Sequence, residues 1–151
     1  MSGFSVRVVS WSEAAAQLSA VRRAVFIDEQ RVPEELEWDG EDEGAIHVLA
    51  TDSEGNPIGT GRLLIHGARG HIGRMAVLKS WRKQNAGSVI LQTLMAAAGQ
   101  RDCTELFLNA QTYAMPFYER FGFKREGVEF LDAGIPHYRM GLHLAGHHSP
   151  C

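Results

Sequence analysis

The segment from Met75 to Ser88 combines the residues that are most able to do chemistry in this chain. A predicted strand, His71–Leu78, leads through the basic pair Arg82 and Lys83 into a helix that begins near Asn85–Ser88. The first turn of a helix exposes unpaired N–H groups and a partial positive charge, so it attracts anions. Two cations at that end oppose the helix dipole unless an anion is bound, and this conflict indicates an anion-binding site.

A simple strand-to-helix connection with two solvated basic residues is the alternative for this segment. Neither a Walker loop nor a dinucleotide-binding fingerprint is present, because the required spacing of glycines is missing. Gly59-Thr60-Gly61 lies inside a predicted strand, so we expect it to mark a bulge or a close backbone approach.

The stretch Met75–Leu91 resembles the strand, pyrophosphate loop and helix of the GNAT acetyltransferases. The loop pattern of that family is Gln or Arg, two variable residues, Gly, one variable residue, and Gly or Ala; Arg82 and Gly87 match it, and Asn85 stands where glycine is usual. Asparagine tolerates the left-handed backbone conformation, so we expect the loop to keep its shape. The resemblance implies that the pyrophosphate of acetyl-CoA is bound by Arg82, Lys83, Gln84, Asn85, Ala86, Gly87 and Ser88.

A second motif lies further along the chain. Ala114–Phe123 resembles the family element A-x-x-Φ-Y-x-x-x-G-F, in which Φ is Phe, Leu or Trp, and Tyr118 holds the position of the tyrosine that faces the sulfur of the cofactor. The family often has asparagine seven residues before this tyrosine, where this chain has Gln111. Asn109 is the residue that could replace it, and we include it among the predicted cofactor-binding residues.

A third resemblance is narrower. Arg23–Pro33, the later Asp39 and Asp42, and Leu131–His137 are similar to the bacterial branch of the family that includes ElaA-like proteins. The resemblance implies an α/β (α+β) domain with the GNAT fold, a mixed central sheet of about six to seven strands flanked by about four helices. It also implies acetyl-CoA as co-substrate, with its acetyl group transferred to a primary amine by direct attack in a ternary complex.

That reaction requires a site that holds two reactants together, stabilises an oxyanion and manages two protons. By the resemblance, backbone groups of Met75, Ala76 and Val77 hold the pantetheine arm, and an N–H near Val77 stabilises the oxyanion. Tyr118 is the predicted general acid for the departing thiolate. The alternative is a tyrosine that only packs and hydrogen-bonds within the fold.

The general base is the least determined part of the predicted site, and removal of the proton through water is also open. Glu29 and His137 lie in the branch-specific motifs, and with Tyr118 they form our predicted catalytic set. His47 and Glu129 are the other candidates. A lone histidine in a strand is more often structural than catalytic.

Residues 34–43 form the most unusual stretch of the chain, because seven of the ten are acidic. Such a stretch would attract a cationic acceptor, for example a small polyamine or an amino sugar, if it bordered the cleft. The alternative, which we favour from the sequence, is a solvated loop that aids solubility. The acidic residues are Glu34, Glu35, Glu37, Asp39, Glu41, Asp42 and Glu43.

The elements that must position these residues follow from hydrophobic spacing and turn residues. The long helix near Asn85–Ser88 makes a crossover, so the strands before and after it should be parallel. The other predicted helices run from an N-cap at Ser12 to about Glu29, and from about Pro116 to Phe121-Gly122. The predicted strands are Phe4–Val9, Ala45–Thr51, Ile58–His66, His71–Leu78, Glu105–Ala110, Phe123–Phe130 and Tyr138–His143.

The chain has 151 residues, of which 44% are hydrophobic, so we predict one domain at 1–144 and a frayed tail at 145–151. A net charge of −3 argues against nucleic-acid binding. The apolar runs are too short to span a membrane, and no signal peptide is present, so we expect a cytoplasmic protein without a membrane partner. Cys103, Cys151, His147 and His148 lack the spacing of metal ligands, so no metal is expected.

Two alternatives to a small-molecule acetyltransferase stay open. A non-catalytic acyl-CoA-binding module that reports cofactor level to a partner protein would share the fold. An enzyme that acetylates a protein N-terminus or lysine would share both the fold and the chemistry. Exposed strand edges near the C-terminal end predict a homodimer in either case.

Overall fold

The computed structural model describes residues 3–144, and the predicted tail, with Cys151, His147 and His148, lies outside them. The helices are α1 Trp11–Arg22, α2 Glu34–Glu37, α3 Ala86–Gln100 and α4 Met115–Glu119. The strands are β1 Phe4–Val9, β2 Ile46–Asp52, β3 Pro57–His66, β4 Arg69–Val77, β5 Glu105–Gln111, β6 Lys124–Asp132 and β7 Ile135–His143.

The strands form one sheet in the order β1-β2-β3-β4-β5-β7-β6. The β4–β5 pair is parallel, as predicted, and the other five pairs are antiparallel. The connection from β4 to β5 runs through α3, because parallel neighbours need a crossover. The mixed sheet with its helices confirms the predicted fold class, and the strand boundaries differ from the predicted ones by at most three residues.

The core lies between the sheet and α3, whose buried side chains include Ile90 and Leu94. A Cβ added to Gly61 would lie 2.6 Å from Leu94, and one added to Gly59 would lie 2.8 Å from Ile90. Glycine is therefore required where the helix contacts β3. The pairing of β3 with β4 also shifts register after Thr60. The expected bulge at Gly59-Thr60-Gly61 is confirmed, and the close approach there is made by side chains of α3.

The first helix begins earlier than predicted. Ser10, not Ser12, is its N-cap: the Glu13 N–H donates to Ser10 Oγ at 3.3 Å, and Ser10 N–H donates to the Glu13 carboxylate at 2.8 Å. Glu13 follows Ser10 by three residues, the spacing that this reciprocal cap requires, whereas Ser12 lies within the first turn.

The helical path continues to Glu29 as predicted, but residues Arg23–Glu29 are wound as a wider π-helix. Such segments are rare and often occur at functional sites. Gly122 closes the region after α4 with a left-handed φ of 97°, as its predicted cap role requires. Within residues 3–144, no helix is long and apolar enough to cross a membrane.

Candidate functional site

Strands β4 and β5 are paired only over their first halves. The parallel register runs from Arg69 opposite Glu105 to Ile72 opposite Leu108, and it ends there although β4 continues to Val77. The two strands therefore separate, and within the described chain the β5-facing edge of residues 73–77 has no neighbouring strand. An unpaired strand edge of this kind is free to bind an extended, amide-containing ligand.

A bulge lies where the strands separate. Arg74 has a left-handed φ of 51°, and the Thr60 hydroxyl donates to the Arg74 carbonyl at 3.0 Å. Thr60 pairs with Ala76 whereas Arg62 pairs with Gly73, so β4 holds one more residue than β3 across this step. Bulges of this kind re-aim the strand that carries the extra residue.

The register also fixes which backbone groups of β4 face the gap. Leu78 N–H donates to Ile58 O at 2.9 Å, so these two residues form a hydrogen-bonded pair of the β3–β4 ladder. In an antiparallel ladder the next pair, Val77 and Gly59, is not hydrogen-bonded, and its backbone N–H and C=O groups point away from the partner strand. The Val77 carbonyl accordingly accepts a bond from Arg82 Nε at 2.9 Å. The N–H of Val77 therefore points toward the opening between β4 and β5.

The loop after β4 has the shape that the sequence pattern predicts. Asn85 has a left-handed φ of 71°, which confirms that asparagine can occupy the usual glycine position, and Lys83 is also left-handed at 67°. Asn85 is the N-cap of α3, yet its side chain does not cap the helix. The N–H groups of the first turn, at Ala86, Gly87 and Ser88, are thus left to bind an anion.

Arg82 is held by a second segment of the chain. Its guanidinium forms a two-point pair with the Glu29 carboxylate, with N···O distances of 2.7 and 2.6 Å. The hydrogen bonds from Arg82 lower the pKa of Glu29 below its ordinary value. A carboxylate that is already paired and weakly basic suits an anchoring role, and Glu29 is not among the residues that line the adjoining cavity.

A cavity of about 460 Å³ opens beside the separated strands. Strands β3, β4 and β5 form its floor. The acidic loop, residues 34–43, and the β6–β7 hairpin form its walls. Four predicted site residues line it: Met75, Asn109, Tyr118 and His137. The structure thus brings together, in one cavity, residues that are far apart in the sequence.

Tyr118 lies on α4 beside the cavity. Its ring packs edge-on against the rings of Phe117 and Phe123, with distances between ring centroids of 5.0 and 6.1 Å. Burial raises the pKa of its phenol well above the ordinary value, so the hydroxyl is protonated at neutral pH. It can donate a proton or a hydrogen bond but cannot act as a base.

His137 is buried on β7, next to the end of β5, where it pairs with Gln111. Its Nδ1 lies 2.6 Å from the Ile135 carbonyl, which can only accept a hydrogen bond, so Nδ1 carries the proton. Nε2 of the neutral ring then keeps its lone pair. Phe130 stacks on the ring at 5.9 Å. This arrangement fixes a proton acceptor at the wall of the cavity.

The other two base candidates, His47 and Glu129, do not line the cavity. His47 is buried, its Nε2 lies 2.9 Å from the Asp42 carbonyl, and burial lowers the pKa of the ring. These are the features of a structural histidine. Glu129 is exposed on the edge strand β6.

Gln111, which stands where the family often has asparagine, bonds to another segment. Its side chain donates to Gln30 Oε1 at 2.9 Å. Gln30 follows Glu29 directly, so the end of the π-helical segment contacts both β5 and the loop that carries Arg82. Asn109 is exposed at the cavity.

The expectation of a solvated loop for residues 34–43, the acidic loop, holds only in part. Most of these residues are exposed, but Glu37 and Asp42 are buried. Three carboxylates of the loop, those of Glu37, Asp39 and Asp42, form ion pairs with three arginines. The three negative and three positive charges of this network balance. Arg22 binds Glu37 at 2.8 Å and Asp42 at 2.7 Å, and Arg62 binds Asp42 at 3.0 Å. The remaining pairs are Arg62–Asp39 at 2.8 Å, Arg74–Asp39 at 3.3 Å and Arg74–Glu37 at 3.0 Å.

These arginines are the residues that sequence reasoning missed. Arg22 on α1 and Arg62 on β3 are both at most 3% exposed. Buried arginines require anionic partners, and the nearby acidic run was the available signal. Arg22 also follows Leu18 by four residues, on the buried face of α1.

The model of the family described as Acetyltransferase (GNAT) domain matches residues 12–144. The chain belongs to the GNAT acetyltransferase family. The N-acetyltransferase YjcF of Bacillus subtilis, itself described as uncharacterized, is 41% identical over 121 residues, which cover 80% of this chain and 86% of that protein.

Solved structures agree with this assignment. A crystal structure of an acyl-CoA N-acyltransferase from Pseudomonas aeruginosa aligns at a TM-score of 0.83 and 26% identity, covering 92% of this GNAT chain and 99% of that one. Escherichia coli ElaA aligns at a TM-score of 0.82 and 23% identity, with coverage of 92% and 99%. The predicted GNAT family is confirmed, and the ElaA structure shares the fold of this chain.

Membership of the GNAT family makes acyl-CoA the acyl donor of this protein. The geometry is suited to such a co-substrate. The free edge of residues 73–77 can pair with the amides of a pantetheine arm, and the uncapped N–H groups of Ala86–Ser88 can bind a pyrophosphate. The cavity borders the gap between β4 and β5 at Gly73, Met75 and Asn109, whereas none of the residues Ala86–Ser88 lines it.

Proposed function

We propose that this protein transfers the acetyl group of acetyl-CoA to the primary amine of a small molecule that binds in the cavity. The observation that carries the proposal is the position of the cavity, which is lined at once by Met75 on the separated strand and by Tyr118. An amine bound there would meet a thioester held along β4 without a large movement of either reactant.

In this proposal, the predicted cofactor residues keep their roles. Backbone groups of Met75, Ala76 and Val77 hold the pantetheine arm, and the residues Arg82, Lys83, Gln84, Asn85, Ala86, Gly87 and Ser88 surround the pyrophosphate. The N–H of Val77, which points into the gap, stabilises the oxyanion as charge develops on the thioester oxygen. A backbone amide that is fixed in a sheet needs no reorganisation at that moment.

Proton transfers complete the reaction. His137 Nε2 accepts a proton from the attacking ammonium, directly or through water, and the amine nitrogen then forms a bond to the acetyl carbon while the carbon–sulfur bond breaks. Tyr118 donates its proton to the departing thiolate, and its phenolate regains a proton, the second one that the amine nitrogen loses as the amide forms. Glu29 has a different part here: its pair with Arg82 holds the pyrophosphate loop against the π-helical segment.

A cationic acceptor is supported by the charges that remain at the cavity. The arginine network balances Glu37, Asp39 and Asp42, but Glu41 and Asp132 also line the cavity and form no ion pair with a described residue. An ammonium group would be favoured near these carboxylates. Action in the cytoplasm and formation of a homodimer stay predictions from the sequence.

The test is release of CoA from acetyl-CoA with a panel of amines: putrescine, glucosamine, benzylamine and a lysine-containing peptide. We expect release that depends on one of the small amines. Calorimetric titration of acetyl-CoA is measured in parallel. Acetyl-CoA binding without CoA release for any amine would favour the non-catalytic module, and activity only on the peptide would favour a protein acceptor. No acetyl-CoA binding would overturn the proposal.

A further inference from the structure

Arg74 joins the two sides of the cavity. Its backbone forms the bulge directly before Met75, and its side chain leaves the sheet toward the acidic loop. There Nη2 donates to the Glu37 carbonyl at 2.9 Å and lies 3.3 Å from the Asp39 carboxylate, and Nε lies 3.0 Å from the Glu37 carboxylate. Arg74 is thus part of the strand that would bind the thioester, and its side chain contacts the acidic loop on the other side of the cavity.

The backbone of Arg74 is in a conformation that arginine rarely adopts. A φ of 51° in a non-glycine residue is disfavoured by contacts of its Cβ, and it persists only where the surroundings hold it. The Thr60 hydroxyl binds the Arg74 carbonyl on one side. The guanidinium contacts with the acidic loop hold the residue from the other side.

We propose that Arg74 is a positioning residue that sets the distance between the acceptor wall at residues 37–39 and the thioester-binding strand Met75–Val77. The inference rests on the proposed function, because it assigns this wall to the acceptor. Without the guanidinium, the wall stays attached to the core through Arg22 and Arg62 but loses its direct link to the bulge, so its spacing from Met75–Val77 is held less tightly. The amine is then presented to the thioester less accurately.

The fold gives a reason to expect that an Arg74 variant still folds. Glu37 keeps its bond to Arg22 and Asp39 keeps its two bonds to Arg62 when Arg74 is removed. The acidic loop therefore stays attached to the core through the two more deeply buried arginines. What is lost is the direct link from that loop to the bulge.

The matched control is Arg23. It also pairs with a carboxylate of the acidic loop, that of Glu34, but this pair is exposed and Arg23 does not line the cavity. Arg74→Met and Arg23→Met each remove a guanidinium that pairs with a carboxylate of the acidic loop. They differ in whether the link reaches the strand that binds the thioester.

The experiment compares wild type, Arg74→Met, Arg74→Lys and Arg23→Met with acetyl-CoA and the best small amine of the panel. For Arg74→Met we expect the KM for the amine to rise about tenfold and kcat to fall about tenfold, with the Kd for acetyl-CoA within about twofold of wild type. Arg74→Lys should recover part of the loss, and Arg23→Met should match wild type. Thermal unfolding monitored by circular dichroism shows that each variant is folded.

Arg74→Met kinetics equal to those of Arg23→Met would overturn the inference, as would a change confined to acetyl-CoA affinity. If Arg74→Met does not fold, Arg74→Lys decides in the same way: an unchanged KM for the amine overturns the inference and a raised one supports it. A failure of the proposed function is distinguishable, because wild type itself would then release no CoA with any amine.

Discussion

Replacement of Tyr118 by phenylalanine tests the proposed acid step with the smallest change. The substitution removes one oxygen and keeps the ring that packs against Phe117 and Phe123. Acetyl-CoA affinity should therefore change by less than about threefold. The effect should appear in turnover, because the hydroxyl acts only when the thiolate leaves.

The size of the effect follows from the groups involved. A positioned general acid typically accelerates a reaction by about 100-fold or more. A free thiol has a pKa of about 8.5, so a thiolate leaves tolerably well without protonation, and we expect the lower end of that effect. Turnover should fall about 10- to 100-fold, equivalent to about 1.4–2.7 kcal/mol in the activation free energy.

The assay is steady-state CoA release at saturating acetyl-CoA, together with calorimetric titration of acetyl-CoA. Tyr138→Phe is the matched control, since Tyr138 does not line the cavity and contacts Arg125 instead. Unchanged turnover in Tyr118→Phe would refute the acid role. An equal loss of turnover and of acetyl-CoA affinity would show that the tyrosine acts through packing.

The pH dependence provides a second check on Tyr118. Because burial raises the pKa of this phenol, it stays protonated between about pH 6 and 9. Wild type and Tyr118→Phe should then show pH–rate profiles of the same shape. A basic ionisation that is present in wild type and absent from the variant would contradict the burial argument.

Three further predictions concern the loop anchor, the network and the core. Glu29→Gln breaks the two-point pair with Arg82, so the Kd for acetyl-CoA should rise about 3- to 10-fold by calorimetry while kcat stays within about twofold; a large fall in kcat alone would restore Glu29 as the base. Asp42→Asn removes the negative charge that pairs with the buried Arg22 and Arg62. It should lower the free energy of unfolding, measured by urea denaturation, by about 3–5 kcal/mol. Gly61→Ala places a Cβ 2.6 Å from Leu94 and should cost about 1–3 kcal/mol by the same measurement.

The stability effect of Asp42 carries a pH signature. Burial opposes ionisation of this carboxyl, but hydrogen bonds from Arg22 and Arg62 outweigh it and lower the pKa. Its stabilisation is therefore fully present above the unfolded pKa of about 3.9 and is lost as the pH falls through the folded value. The difference between wild type and Asp42→Asn should shrink in acid. A difference that grows toward low pH would be inconsistent with the ion pairs.

Glu126→Gln is the control for Glu29→Gln, because it breaks an exposed pair with Arg139 at the edge strand, away from the cofactor loop. It should leave acetyl-CoA affinity unchanged.

For Gly61→Ala, the sequence alone predicted a bulge or a close backbone approach, and the structure shows that the side chain of Leu94 occupies the space that a Cβ would need. A neutral effect would mean that Leu94 can move aside.

Local features could be predicted from the sequence because their chemistry is contained in a few neighbouring residues. The left-handed conformation at Asn85 and the motif that carries Tyr118 are of this kind, as is the crossover helix that makes β4 and β5 parallel. Only the helix start at Ser12 was wrong among the caps, because two serines compete there and the reciprocal bond with Glu13 selects Ser10.

What only the tertiary structure decided are the pairings between distant segments. Arg82 binds Glu29 across 53 positions, Gln111 binds Gln30 across 81, and Arg74 reaches Glu37 across 37. A charged residue in the sequence shows that it needs a partner or water, but it does not show which, since several partners of opposite charge are available. The sequence by itself therefore determined the elements and the left-handed conformation at Asn85 in the loop before α3. The folded chain decided which carboxylates are paired with arginines and which remain free at the cavity, because burial and distance are set only when the strands and the acidic loop come together.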